Sequence, residues 1–181
     1  MKVNKKQEIL NAALRLFTEN GARATSTKSI AQEAKTSEAL IFKYFHTKDG
    51  LVEELLKIGY QDAVKIITPL LLSKSPKEYI ATFIEIPKIL VYSNQDFWKM
   101  QYKITPLNPI ASTYHNQFMK PCKERLVQCF TELKYKNPVM ETEIFLLFIE
   151  GFWKHIAAND FEKDYIDEII YLAKKKYLLS L

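Results

Sequence analysis

Glycine is scarce in this chain, four in 181 residues, and cysteine occurs twice. So few glycines and turn dipeptides leave little of the punctuation that hairpins need, and no stretch reads as a convincing strand. Cys122 and Cys129 fall on one expected helix, where their separation is about 10.5 Å along the axis, too far for a disulfide. They read as reduced core thiols, which suits a reducing compartment. Heptad spacing likewise keeps His115, Cys122 and Cys129 from sharing one ion, so no metal and no cofactor is expected. No apolar run reaches the roughly 18 residues of a membrane span, and no secretory signal pattern opens the sequence; a cytoplasmic protein with no membrane partner is expected. Neither a phosphate-binding P-loop nor Gly-x-Ser-x-Gly, His-Glu-x-x-His or Gly-x-Gly-x-x-Gly is present, and an enzyme is not expected.

What the chain does contain is apolar surface and an uneven charge. Hydrophobic residues make up 48% and aromatics 13%, enough to bury a core and too much for a disordered chain. The formal charge is +5, and nearly all of it lies in residues 1–50, which carry nine basic groups against five acidic ones. A polyanion would meet that end first.

Apolar positions recur at helical spacing throughout, so an all-α fold is expected. Ile9, Leu10, Ala13, Leu14, Leu16 and Phe17 form the face of a first helix, ended by Asn20-Gly21. Two short helices follow, about 27–34 and 38–44, capped by Ser26 and Ser37 and joined by a tight turn: a helix-turn-helix over about 27–46. Thr47 caps a long fourth helix, bent at Pro69, that links this head to a body with helices near 76–93, 95–104, 110–134, 140–159 and 162–179. Pro121 is expected to kink the long helix that contains it. The division is a head of residues 1–48 and a body of 49–181.

In the head, Ile30, Ala31, Ala34, Ile41 and Phe45 can pack inward, leaving Thr27, Lys28, Thr36, Ser37, Leu40, Lys43 and Tyr44 to project. A short recognition helix with its N-terminus presented fits a DNA major groove. The stretch STKSIAQEAKTSEALIFKYFHTKDGL, residues 26–51, resembles the head of the TetR family of transcriptional repressors. Thr27, Ile30, Ala31, Ala34, Ser37, Phe42, Tyr44, Phe45, Thr47, Lys48, Asp49 and Leu51 fall where that pattern has like residues. The resemblance implies a homodimeric regulator, released from a palindromic operator in double-stranded DNA by a small-molecule effector. It also implies that Thr27, Thr36 and Ser37 touch phosphates, that Glu38, Leu40 and Lys43 face base edges or the groove wall, and that Tyr44 and Lys48 clamp phosphates. Three residues depart from the pattern: Phe42 replaces the usual Tyr, Lys35 the usual Gly, and Glu38 a small residue.

The body's last two helices carry more apolar residues than one buried stripe each requires. Phe148, Gly151, Phe152, Ile166 and Ile170 are candidates for a dimer interface, and burial within one subunit is the alternative. Phe83, Phe97, Trp98, Tyr102 and Phe118 are candidate effector-pocket residues or plain core. Glu150 either faces a polar ligand group or pairs with Lys154. A helical enzyme or lipid carrier, in which the cavity is the whole function, stands as the rival reading.

Overall fold

Every expected helix is present in the computed structural model, which describes residues 4–178; residue 179, where the last was expected to end, lies outside them. The order is α1 (Lys5–Ala24), α2 (Thr27–Glu33), α3 (Glu38–Phe45), α4 (Lys48–Leu71), α5 (Pro76–Ser93), α6 (Gln95–Ile104), a 3-10 turn (Thr105–Leu107), α7 (Pro109–Glu132), α8 (Pro138–Ala158) and α9 (Lys163–Leu178). The described residues contain no strand. Pro76, Pro109 and Pro138 each open a helix, where the missing N–H is one the helix would leave unpaired anyway. Pro69 and Pro121 lie inside α4 and α7, and the assigned helices run on past both.

Asn20-Gly21 does not end α1. Gly21 takes a left-handed conformation (φ 77°, ψ 159°) that breaks the helix, and one more turn follows to Ala24. Thr25, buried, secures this turn, its hydroxyl lying 2.9 Å from the Gly21 carbonyl oxygen and 3.2 Å from that of Leu16.

Two helices end in the same way, each with a lysine where glycine is favoured. After α2, Thr36 N–H donates to Ala31 O (2.9 Å) and Lys35 N–H to Gln32 O (3.1 Å), with Lys35 left-handed at φ 48°. After α7, Tyr135 N–H donates to Phe130 O and Lys134 N–H to Thr131 O, both at 3.0 Å, with Lys134 at φ 61°. Both are Schellman motifs, and the second adds the apolar contact that accompanies them, Tyr135 against the Phe130 ring at 4.9 Å. A side chain in this conformation is strained, and glycine relieves that while loosening the unfolded chain. Lys35→Gly should therefore stabilise the protein by about 0.5 kcal/mol in a denaturant titration. A loss of stability would show that Lys35 contributes contacts outweighing its backbone strain.

The contacts divide the chain into two compact units. The first holds Met1–Gln61 and Asp96–His115, so α6 and the start of α7 pack with the head. Its core includes Ile9, Phe17, Ile30, Ile41, Leu51, Leu56, Trp98 and Met100, all essentially inaccessible. The second holds Asp62–Gln95 and Asn116–Leu181, with α5 packed on α8 and α9 around Phe83, Phe130, Phe145 and Tyr177. Cys122 and Cys129 are buried in this unit and unbridged, and burial pushes both thiols up, which keeps them protonated.

Candidate nucleic-acid interface

The helix-turn-helix is fixed by hydroxyls at each helix start. Ser26 Oγ accepts from Ser29 N–H (3.0 Å) while Ser29 Oγ accepts from Ser26 N–H (3.2 Å), a reciprocal cap that starts α2. Ser37 Oγ accepts from Leu40 N–H (3.3 Å) and starts α3. Ile41 and Phe45, one helical turn apart, are buried on the inner face of α3, and Ile30, Ala31 and Ala34 are buried on the α2 side of the same unit. The outer face of α3 presents Ser37, Phe42, Lys43 and Tyr44, with Phe42 44% and Tyr44 40% exposed. Lys28 is exposed on α2, while Thr36 and Leu40 are half-buried.

Three residues expected at phosphates or base edges have partners inside the head. Thr27 Oγ1 donates to Glu38 Oε2 at 2.6 Å, joining the first turns of α2 and α3. Glu38 is thus half-buried and hydrogen-bonded rather than a free carboxylate aimed at DNA. Lys48, from the first turn of α4, donates to Ala22 O (2.7 Å) and Thr25 O (3.1 Å) at the end of α1. Two of its three N–H groups are engaged there.

The connection between α3 and α4 was legible as a break and not as a built turn. Thr47 N–H donates to Phe45 O at 2.7 Å across His46, whose φ of 63° and ψ of −44° make a γ-turn of the rare, strained kind. Thr47 Oγ1 then accepts from Gly50 N–H (2.9 Å), capping α4. A Cβ at Gly50 would lie 2.2 Å from Phe45 O, so only glycine lets α4 start this close to the turn. Neither Gly50 nor the geometry at His46 was singled out from sequence, although a glycine in the first turn of a helix was an available signal.

The candidate pocket residues fall in three ring clusters. Phe97, Trp98 and Tyr102 belong to the first unit, where Tyr60 meets Phe97 and Trp98 edge-on at 5.5 and 5.8 Å and Tyr102 lies near His115. Phe83 packs with Tyr79 and Phe145, and Phe118 with Trp153, in the second unit. Glu150 is half-buried there.

Of the candidate interface residues, Phe152, Ile166 and Ile170 are buried in the second unit's own core. Phe148 is half-buried and stacked on Phe152 at 6.1 Å, and Gly151 is exposed with no atom within 4 Å of a Cβ built on it. The outward stripe of α8 is instead Ile144, Leu147, Phe148 and Gly151, with Leu147 75% exposed. Beside it a groove of about 350 Å³ runs between α8 and α9, lined by Ile144, Phe148, Ile169 and Leu172 among others.

Residues 9–55 match the family model described as bacterial regulatory proteins, tetR family. The transcriptional regulator YvkB of Bacillus subtilis is 54% identical over 50 residues, which are 28% of this chain and 26% of that protein. The transcriptional repressor Rv3405c of Mycobacterium tuberculosis is 41% identical over 73 residues, 40% of this chain and 36% of that protein. The chain therefore spans about a quarter to a third of the length of these curated relatives. The regulator FadR of Bacillus subtilis, solved in complex with stearoyl-CoA, shares the fold with a TM-score of 0.69 at 18% identity, over 92% of this chain and 96% of that one. On the strength of its head, the chain belongs to the TetR family of bacterial regulatory proteins.

Proposed function

We propose that this protein is a cytoplasmic, dimeric, sequence-specific DNA-binding transcriptional repressor, released from a palindromic operator by a small molecule. The observation that carries the reading is the outer face of α3: a capped, two-turn helix whose inner residues are anchored and whose Ser37, Phe42, Lys43 and Tyr44 are exposed. Such a rod enters a major groove, its N-terminal amides and Ser37 favouring phosphate. Lys28, Thr36, Ser37, Leu40, Phe42, Lys43 and Tyr44 make the contacts, while Thr27, Glu38 and Lys48 hold the head in shape. Lys48 keeps one N–H for a phosphate.

Selection of binding sites from random duplexes, followed by anisotropy at several salt concentrations, tests this directly. A selected palindrome is expected; turnover or cargo binding without any salt-sensitive duplex affinity would favour the enzyme or carrier. Each phosphate contact contributes about 0.9 to the slope of log affinity against log salt, so Lys43→Ala should lower the slope by roughly 1. An unchanged slope removes Lys43 from the interface.

One short recognition helix binds weakly, and two half-sites read by a two-fold dimer supply the remainder. The exposed stripe of Ile144, Leu147 and Phe148, with Leu172 across the groove, is the surface proposed to meet its own copy. The effector must bind the DNA-incompetent state more tightly, by about 5.5 kcal/mol for a nearly complete switch. A long-chain acyl thioester is one ligand class to screen, since the FadR structure of the same fold holds stearoyl-CoA.

A further inference from the structure

The break at Gly21 leaves the carbonyl groups of the preceding turn of α1 short of helical donors. A lysine from α6 fills the deficit. Lys103, in the last turn of α6, donates to Thr18 O at 3.0 Å and Glu19 O at 2.6 Å. The Thr18 hydroxyl, itself buried, lies 3.0 Å from Asp96 O in the first turn of α6 and 2.8 Å from Leu14 O, one proton shared between the two. Thr18 is thus approached from both ends of α6. The cation also sits at the negative end of the α1 dipole.

The arm that carries Lys103 is rigid. Trp98, Met100, Gln101 and Ile104 of α6 are buried, and the Phe97 ring lies where a Cβ on Gly59 of α4 would be, 2.0 Å from that position. Gln101 Nε2 donates to Thr105 Oγ1 (2.8 Å), which donates back to Gln101 O (2.7 Å), closing the end of the helix. On the other side of the α1 break, Lys48 holds Ala22 O and Thr25 O. The last turns of α1 are therefore gripped by one ammonium from α4 and one from α6.

We propose that Lys103 is a positioning residue for DNA binding: by capping the end of α1 from α6, it sets the orientation in which α1 presents the helix-turn-helix. Movement at the end of α6 then reaches the head through α1, in addition to any effect passed along α4. The inference rests on the reading of α3 as the DNA-contacting helix.

Lys103 is exposed along its length, so replacing it leaves the core intact. The test compares Lys103→Met and Lys103→Arg with the wild-type chain on the duplex that the wild type selects, at two salt concentrations, with hydrogen exchange of the free proteins alongside. Lys103→Met is expected to raise Kd about tenfold, the effect of losing roughly one charge-assisted hydrogen bond. It should leave the salt slope unchanged, because no phosphate contact goes with it, and speed amide exchange in residues 18–25. Lys103→Arg should restore the wild-type Kd. A wild-type Kd for Lys103→Met overturns the proposal whatever the exchange shows, and so does a Kd increase accompanied by a fall of about 1 in the slope, which would make Lys103 a phosphate contact. If the wild type itself binds no duplex, it is the DNA-binding reading that fails.

Discussion

Replacing Gly50 with alanine is expected to destabilise the protein by about 3 kcal/mol, lowering its melting temperature by roughly 6 to 12 °C. The added methyl would stand 2.2 Å from the Phe45 carbonyl oxygen, and that atom belongs to the backbone of the γ-turn, not to a side chain free to rotate away. Relief requires opening the turn, which frees Thr47 N–H from Phe45 O and displaces the end of α3. Duplex affinity should fall with stability. Gly151→Ala is the matching control, since a Cβ there meets nothing within 4 Å. It should be neutral or stabilising by up to about 1 kcal/mol through helix propensity. Equal melting temperatures for Gly50→Ala and the wild type would show that the turn is not held as described.

The second large effect is expected at Leu147. A glutamate at this position should turn the dimer into a monomer in sedimentation at micromolar concentration and weaken binding to a palindromic duplex by roughly a hundredfold, the advantage lost when two half-sites are no longer engaged together. Leu147 is 75% exposed in the single chain, so the substitution should change the stability of the subunit by no more than about 0.5 kcal/mol. Ile166→Glu would behave differently, because Ile166 is buried in its own unit and the charge would unfold it. A dimeric Leu147→Glu protein with unchanged affinity would remove the outward stripe of α8 from the interface.

These two sites mark where sequence reasoning reached and where it stopped. Periodicity located each helix because an amphipathic stripe is a local property, as with Ile41 and Phe45 on α3. Periodicity also gave α8 and α9 too many apolar residues, but which stripe faces inward depends on the packing of α5 against both. Phe152, Ile166 and Ile170 went to the core, and Ile144, Leu147 and Leu172 were left outside. Hydroxyl caps at Ser26 and Ser37 were legible because a cap bonds within three residues. Long-range side-chain bonds were not. Nothing near Lys48 in the sequence points to Ala22 and Thr25, nothing near Lys103 points to Thr18, and the pairing of Thr27 with Glu38 spans a turn whose shape had first to be known.

Those bonds also dispose of the difficulties that the unusual residues raised. Glu38 would repel phosphate as a free carboxylate, yet with one oxygen bound to Thr27 it braces the recognition helix. Lys35 remains in the left-handed conformation that glycine prefers, and the motif's two hydrogen bonds hold it there. The mild strain is concentrated beside the proposed contact surface, at Lys35 and His46, as is common where backbone geometry serves binding.

The most direct measurement of the central claim is a salt titration of the wild-type chain on its selected duplex. If each of two heads neutralises at least two phosphates around an inserted α3, log affinity falls linearly with log salt at a slope of about −3.6 or steeper. A flat titration, or binding that persists unchanged as salt rises, would contradict it.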